Sequence, residues 1–256
     1  MRLVLVQPVL HATTDADNVA TIRMLVRGTG AHLAADDIVL LPEHVTPQAS
    51  ADRYEADIAG LARDLGCHVV GGSQHQARTG GSVNVGVVCD ATGEIVGRYE
   101  KLRPYATERE TVRPGSCLGE IVIAGRNVLV LICADFWFAD LIHTATRLPD
   151  VVLVPALSVT RKTGPEYSRA LWRHLAVARA YEYGLYVGIS DWAHASVLPR
   201  LFASSVGGFA DPTTVDPDGL FQPTGDAGVA IHTLDFDRLE AFREDRRQRG
   251  FFWKPR

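Results

Sequence analysis

The sequence of 256 residues has few cysteines, no excess of positive charge and no long hydrophobic run. Its four cysteines, at positions 67, 89, 117 and 133, form no C-x-x-C pair, which disfavours a zinc site or a disulfide scaffold and fits a reducing compartment. The net charge of −4 argues against nucleic acid or an anionic membrane as the main partner. No stretch approaches the roughly 18 apolar residues of a membrane helix, and the apolar N-terminal segment is too short for a signal peptide. We therefore expect a cytoplasmic protein.

Several common enzyme motifs are also missing. The sequence contains no G-x-S-x-G elbow, P-loop, G-x-G-x-x-G or H-E-x-x-H motif. None of the nine histidines stands in a motif that would make it the partner of a papain-like cysteine. These absences disfavour a serine hydrolase, a nucleotide-binding enzyme and a zinc protease, and we expect no metal and no organic cofactor.

The hydrophobic pattern predicts one α/β domain over residues 1–256, with a mixed sheet, helices packed outside it and residues 245–256 as a C-terminal tail. We predict strands over nearly continuous apolar stretches, which are typical of strands covered on both faces: Leu3–Val6, Ile38–Leu41, His68–Gly71, Val83–Cys89, Ile95–Tyr99, Val128–Ile132, Val151–Val154, Leu185–Ile189 and Gly228–Thr233. We predict helices over Asp15–Gly28, Ala49–Leu65 and Pro165–Tyr183.

Three reactive side chains follow the ends of predicted strands. Glu43 follows an apolar strand, and so do Lys101 and Cys133. Taken singly, each has an ordinary explanation, because charged residues are common in loops and cysteine is often a small buried hydrophobe. Open α/β sheets place their ligand crevices at the carboxyl ends of strands, so the three residues together indicate one site.

The segments that carry these residues resemble the nitrilase superfamily of carbon–nitrogen hydrolases over almost the whole chain. The similar segments are Leu40–Glu43 (the glutamate motif), Gly97–Leu102 (the lysine motif), Arg113–Gly115 (the following Pro-Gly), Leu131–Asp135 (the cysteine motif), Trp172, Arg179, Ala180 and Glu182 (the long helix) and Pro217–Gly219 (a late turn). The resemblance implies a four-layer α-β-β-α sandwich with mixed sheets, commonly assembled as a homodimer or larger oligomer.

The chain departs from the family pattern around the cysteine. Trp137 stands where the family often has arginine, and Ala139 stands where it often has proline. Nitrile-hydrolysing members usually carry Trp-Glu directly after the cysteine, whereas this chain has Ala134 and Asp135. The resemblance therefore favours an amide over a nitrile as the substrate.

The resemblance also implies a role for each residue. Cys133 would attack the amide carbonyl, and Glu43 would act as general acid and base. Lys101 and the backbone N–H of Ala134 would stabilise the oxyanion. Many members carry a second glutamate between the lysine and the Pro-Gly.

Two residues of this chain, Glu108 and Glu110, could fill that position. The spacing to Gly115 favours Glu110, which would orient Lys101 or the substrate amide nitrogen.

We further expect an aromatic substrate pocket without a carboxylate clamp. Phe136 and Trp137 stand at positions where members that hydrolyse N-carbamoyl amino acids tend to carry arginines. Ser158 and Trp192 also follow strand ends near the expected crevice. Pockets lined by aromatic side chains select apolar or planar ligands, so a small amide is the expected partner.

Three other functions remain open from the sequence. The chain could be a catalytically weak binding or regulatory protein, an ammonia-producing module that serves a partner enzyme, or an acyltransferase that uses the same thioester. Self-association is expected from the segment Gly250–Arg256, which carries three consecutive aromatic residues. The alternative is that this segment folds back on its own subunit.

Overall fold

The computed structural model describes residues 1–13, 17–47, 49–160 and 162–251. The strands are β1 (Arg2–Gln7), β2 (Ile38–Leu40), β3 (His68–Val70), β4 (Gln74–Arg78), β5 (Gly81–Cys89), β6 (Ile95–Glu100), β7 (Gly119–Ile123), β8 (Arg126–Val130), β9 (Val151–Pro155), β10 (Tyr186–Ser190), β11 (Gly208–Ala210), β12 (Phe221–Pro223) and β13 (Gly228–Thr233). The helices are α1 (Asn18–Gly28), α2 (Ala51–Leu65), α3 (Ala139–His143), α4 (Glu166–Tyr183) and α5 (Phe236–Gln248), and short 3₁₀ turns cover Ala106–Glu110, Cys133–Trp137 and Pro217–Leu220.

The strands form two mixed sheets. One has the order β13-β1-β2-β3-β5-β4, with β6 paired to β5, and the other has the order β12-β11-β10-β9-β8-β7. Strands β1, β2 and β3 run parallel in the first sheet, as do β8, β9 and β10 in the second. Loops that follow β2, β8, β9 and β10 can therefore meet at one end of the molecule.

The two sheets pack face to face and carry helices on their outer sides. Leu3 and Leu5 of β1 belong to the core between the sheets, where a Cβ at Gly188 of β10 would lie 2.6 Å from Leu3 Cδ2. Val4 and Val6 of β1 point the other way, into a second core with α1 and α2. Both faces of β1 are thus buried, which explains its unbroken apolar sequence. The predicted four-layer α-β-β-α sandwich with mixed sheets is confirmed.

Helix boundaries follow the local signals of the sequence. Ser50 caps α2 by accepting a hydrogen bond from the backbone N–H of Arg53, and Gly66 ends it in a left-handed conformation at φ 67°. Gly184 ends α4 in the same way, at φ 60°. The predicted start of the first helix, at Asp15, lies outside the described residues, and α1 begins at Asn18, after its N-cap Asp17.

The sequence did not predict β4, β7, β11, β12, α3 or α5. Residues 245–248 belong to α5, so that part of the expected tail is helical. The buried Arg243 anchors α5 through a 2.8 Å ion pair with Asp150 and a hydrogen bond to the carbonyl of Pro149. Phe251 is exposed, whereas Phe252 and Trp253 lie outside the described residues. Within the described ranges, no helix is both long and apolar enough to cross a membrane.

Candidate active site

A buried ion pair occupies the end of the first sheet. Lys101, directly after β6, donates to Glu43 Oε1 at 2.8 Å, and each side chain is only 3% exposed. Burial opposes the charged form of an ammonium group, but Glu43 and the neighbouring Glu108 raise the pKa of Lys101. The predicted proximity of Glu43 and Lys101 is therefore present in the structure.

Glu108, and not Glu110, is the second carboxylate at Lys101. The Lys101 Nζ atom lies 2.7 Å from Glu108 Oε2, and the backbone N–H of Tyr105 donates to the same oxygen. Burial opposes ionisation of Glu108, but hydrogen bonds from His75 and Lys101 lower its pKa overall. Glu110 is exposed.

The expectation that Glu110 orients Lys101 is wrong, and the reason is local. Residues Ala106–Glu110 form a 3₁₀ turn, in which a residue two positions further on points to a different side. An extended segment around Val112, which pairs with Ser82, then separates the turn from Gly115. Counting back from Gly115 could not take this geometry into account.

Asn84 and Leu157 complete the hydrogen bonding around Glu43. Asn84 Nδ2 donates to Glu43 Oε1 at 2.8 Å and to Glu108 Oε1 at 3.1 Å, so it joins the two carboxylates. The backbone N–H of Leu157 donates to Glu43 Oε2 at 3.2 Å. Sequence reasoning missed Asn84, although its position in the apolar run Val83–Cys89 makes it the one strongly polar residue there.

Cys133 lies at the start of the 3₁₀ turn that follows β8 in the second sheet. Its φ of 48° is in the left-handed region, which residues other than glycine rarely adopt. Such strained backbone conformations are often found at functional sites. The thiol donates to the carbonyl of Leu157 over 3.9 Å. Leu157 thus links Glu43, through its N–H, to Cys133, through its carbonyl.

Electrostatics also couple the thiol to the ion pair. Burial and then the Glu43 carboxylate raise the pKa of Cys133, while Lys101 lowers it by a smaller amount. Together these effects favour the protonated thiol over the thiolate. The three predicted residues Glu43, Lys101 and Cys133 are brought together.

Two buried aspartates hold the loops of the site. Asp135 accepts hydrogen bonds from the backbone N–H groups of Leu102 and Arg103, at 3.0 and 2.7 Å. These bonds connect the turn that begins at Cys133 to the residues that follow Lys101. Burial raises the pKa of Asp135 to about 6. Asp191, which follows β10, accepts from the backbone N–H of Ser158 at 2.9 Å, and burial raises its pKa to about 7.

A cavity of about 230 Å³ opens beside the thiol. It is lined by Tyr105, Cys133, Ala134, Trp137, Leu157, Ser158, Val159, Lys162, Tyr167, Ser168, Leu171 and Trp172. The predicted pocket residues Ala134, Trp137 and Ser158 are among them. The indole N–H of Trp137 is buried and has no hydrogen-bond partner among the residues that the structure describes.

Two predicted pocket residues lie elsewhere. Phe136 is fully buried and stacks on Trp172 with ring centres 6.1 Å apart, because the 3₁₀ turn directs it into the core between the layers. Trp192 is also buried, and its indole N–H donates to the backbone carbonyl of Glu43 at 2.6 Å. Trp192 therefore holds the backbone of Glu43, the general-base candidate, and does not line the cavity.

Two histidines border the carboxylates, and sequence reasoning missed both. His75 Nε2 lies 3.1 Å from Glu108 Oε1, and His44 Nε2 lies 3.6 Å from Glu43 Oε1. Burial lowers the pKa of His44. No motif indicated these residues, since His75 reaches the site from β4, which was not predicted.

The sequence pattern of the carbon–nitrogen hydrolase family matches residues 2–244. The chain belongs to this family. The resemblance to the nitrilase superfamily of carbon–nitrogen hydrolases is therefore confirmed.

Three similar proteins share less than a quarter of their aligned residues with this member of the carbon–nitrogen hydrolase family. A hydrolase of Schizosaccharomyces pombe is 24% identical in an alignment 199 residues long, and the alignment covers 74% of this chain and only 58% of that hydrolase. Nit3 of Saccharomyces cerevisiae, a member of branch 10 of the nitrilase superfamily, has a TM-score of 0.79 at 20% identity, over 96% of this chain and 93% of Nit3. The amidase from Nesterenkonia sp. AN1, with acrylamide added at its active-site cysteine, has a TM-score of 0.72 at 21% identity, over 98% of this chain and 99% of the amidase. At these identities the structural likeness shows the fold alone.

Proposed function

We propose that this carbon–nitrogen hydrolase cleaves a small linear amide or N-carbamoyl compound through a thioester on Cys133. The observation that carries the proposal is the buried ion network of Glu43, Lys101 and Glu108 beside that thiol. Such a network is costly to bury unless its charges are paired, and groups perturbed in this way are typical of catalytic sites.

The first step needs a base for a protonated thiol. An ordinary thiol and an ordinary glutamic acid differ by about four pKa units, so proton transfer between them in water is uphill by roughly 5–6 kcal/mol. Glu43 Oε2 is the oxygen on the Leu157 side, where the thiol also lies, whereas Oε1 is held by Lys101 and Asn84. Glu43 takes the thiol proton as sulfur attacks the carbonyl carbon, and the carbonyl π electrons move to oxygen.

Lys101 offsets the cost of that transfer. As Glu43 becomes neutral, the negative charge moves to the carbonyl oxygen of the tetrahedral intermediate. The ammonium group, already fixed between two carboxylates, then stabilises the oxyanion without reorganising. The backbone N–H of Ala134 is a second donor, since N–H groups in the first turn of a helix have no partner within that helix.

The second half of the reaction reverses the role of Glu43. It protonates the leaving nitrogen as the C–N bond breaks, which releases ammonia or an amine and leaves the acyl group on sulfur. Glu43 then takes a proton from water, which attacks the thioester and releases the acid with a free thiol. The carboxyl group of Glu43 thus takes up both the thiol proton and the water proton.

The cavity suits a small, largely apolar acyl group. Its volume of about 230 Å³ is below the usual range for drug-sized ligands, and Trp137, Leu171 and Trp172 contribute apolar walls. The Nesterenkonia amidase has been crystallised with butyramide in a form that lacks the active-site cysteine, and a short aliphatic amide of this kind fits these dimensions. The indole N–H of Trp137, which has no partner in the described part of the chain, offers one hydrogen bond to a polar group of the substrate.

A panel of aliphatic amides, aromatic amides and N-carbamoyl compounds, assayed for ammonia release, tests the proposal. The wild type should release ammonia from at least one small amide, and Cys133→Ala should release none. Cys117→Ala is the matched control, because Cys117 is exposed and lies away from the cavity. No release by the wild type would favour a binding protein, and release only with a partner enzyme would favour an ammonia-producing module.

We also propose that the hydrolase self-associates as a homodimer or higher oligomer. Phe251, just beyond α5, is 65% exposed, and exposed aromatic residues often mark interfaces. Light scattering should give a mass of at least twice 27.9 kDa. A species of monomer mass alone would contradict this proposal and leave the catalytic one untouched.

A further inference from the structure

His44, His75 and Glu108 form a cluster of metal-ligand side chains at the edge of the ion network. One ligand atom from each, two imidazole nitrogens and a carboxylate oxygen, lie within 4.8 Å of one another. The two imidazole rings meet edge to face, with ring centres 4.6 Å apart. None of the three residues lines the cavity beside Cys133.

We propose that this cluster is an inhibitory Zn²⁺ site. Imidazole nitrogen and carboxylate oxygen bind zinc at about 2.0–2.2 Å, so neighbouring ligand atoms in a tetrahedral site are about 3.3 Å apart. The separation of His75 Nε2 and Glu108 Oε1 is already 3.1 Å. A side-chain rotation of His44 supplies the third bond, and water the fourth.

The two oxygens of Glu108 have different surroundings. Oε2 faces Lys101 and the backbone N–H of Tyr105, whereas Oε1 faces His75 and Asn84. Zinc bound at Oε1 would take the place of the proton that now joins His75 to Glu108.

The exposure of the cluster and the nearby charge of Lys101 are both consistent with reversible binding of zinc. The His75 side chain is 41% exposed and that of Glu108 12%, so the ion can arrive from solvent. The ammonium group of Lys101 lies 2.7 Å from the other Glu108 oxygen and opposes a divalent cation, so the affinity is moderate.

The effect on activity rests on the proposed function, whereas the binding does not. Zinc at Oε1 would draw the negative charge of Glu108 away from Lys101, which Glu108 holds in place while the ammonium group stabilises the oxyanion. We therefore expect turnover to fall when the ion binds and to return when a chelator removes it.

Isothermal titration of ZnCl₂ into Cys133→Ala tests binding, because this variant lacks the thiol beside the ion network and the measurement needs no activity. We expect one ion per chain in the micromolar range, weakened at least tenfold when either His75→Ala or His44→Ala is added. His174→Ala, on the exposed face of α4, is the matched control and should leave the affinity unchanged. Circular dichroism shows whether each variant is folded.

The outcomes separate the two proposals. Affinity that is unchanged in both folded histidine variants, or the absence of a bound ion at 1 mM ZnCl₂, overturns the site. In the active wild type, inhibition by zinc that EDTA reverses and that His75→Ala weakens at least tenfold supports it. Binding at the cluster without inhibition supports the metal site and counts against the role of Glu108 in the proposed reaction.

Discussion

Replacing Glu108 by glutamine isolates the contribution of one carboxylate to the reaction. Glu108 accepts hydrogen bonds from Lys101, His75, Asn84 and the backbone N–H of Tyr105. Glutamine keeps one acceptor oxygen but places an N–H₂ group among these donors and removes the charge. Lys101 is then left without a carboxylate partner at the moment when Glu43 takes the thiol proton.

The size of the effect follows from the lost hydrogen bond to a charged group. Such a bond contributes about 1.5–3 kcal/mol. If that energy is needed only in the transition state, kcat falls by about 13- to 160-fold, at 1.36 kcal/mol for each factor of ten. Glu108 does not line the cavity, so KM should change far less than kcat.

Glu110→Gln is the matched control, because it removes the same charge two residues away from an exposed position. Exposed substitutions usually change free energies by no more than about 0.5 kcal/mol, which is about twofold in rate. Steady-state ammonia release from butyramide would measure both variants, with thermal unfolding as a check on folding. A large loss in Glu110→Gln with normal kcat in Glu108→Gln would refute the assignment of the second carboxylate.

Three further predictions concern the nucleophile, the backbone and the substrate. Acrylamide should alkylate Cys133 in preference to the exposed Cys117, as mapped by peptide mass spectrometry, because Glu43 takes the proton of Cys133 as its sulfur attacks. The opposite preference would contradict the role of Glu43. Gly72→Ala should lower kcat and reduce the unfolding free energy by about 1–3 kcal/mol, as measured by denaturant titration. Gly72 has a φ of 67°, and a Cβ added there would lie 2.0 Å from the carbonyl oxygen of Pro42, the residue before Glu43. A neutral amide should have a higher kcat/KM than a carboxylate-bearing one of similar size, whereas a tenfold preference for the carboxylate that Lys162→Gln abolishes would show that Lys162 of the cavity wall is an anion clamp.

The sequence predicted those parts of the fold in which one local signal dominates. Strand β1 is buried on both faces and therefore reads as a continuous apolar run, and glycine marks the ends of α2 and α4. Strand β4, Gln74–Arg78, has only two buried residues, and helix α5 buries one charged side chain, Arg243. Their stability depends on partners distant in the chain, which no local pattern reveals.

The candidate site also has residues that local sequence signals predict and residues that they do not. Glu43, Lys101 and Cys133 could be predicted because each follows a strand that ends at the site. The choice between Glu108 and Glu110 depends on the direction of a 3₁₀ turn, and burial of Trp192 depends on a hydrogen bond to the carbonyl of Glu43. Spacing along the chain carries neither kind of information.

The position of Glu43 between the two sheets makes catalysis sensitive to how the halves of the sandwich are aligned. Its backbone N–H donates to the carbonyl of Ala156 beyond β9, and its own carbonyl accepts from Trp192 beyond β10, although Glu43 itself follows β2 of the other sheet. Sliding one sheet against the other by an ångström or so would move the base away from the nucleophile while leaving each sheet intact. The turnover rate therefore depends on how the two sheets are aligned. Under mild denaturant we expect the turnover rate to decline before the circular dichroism signal of the strands changes.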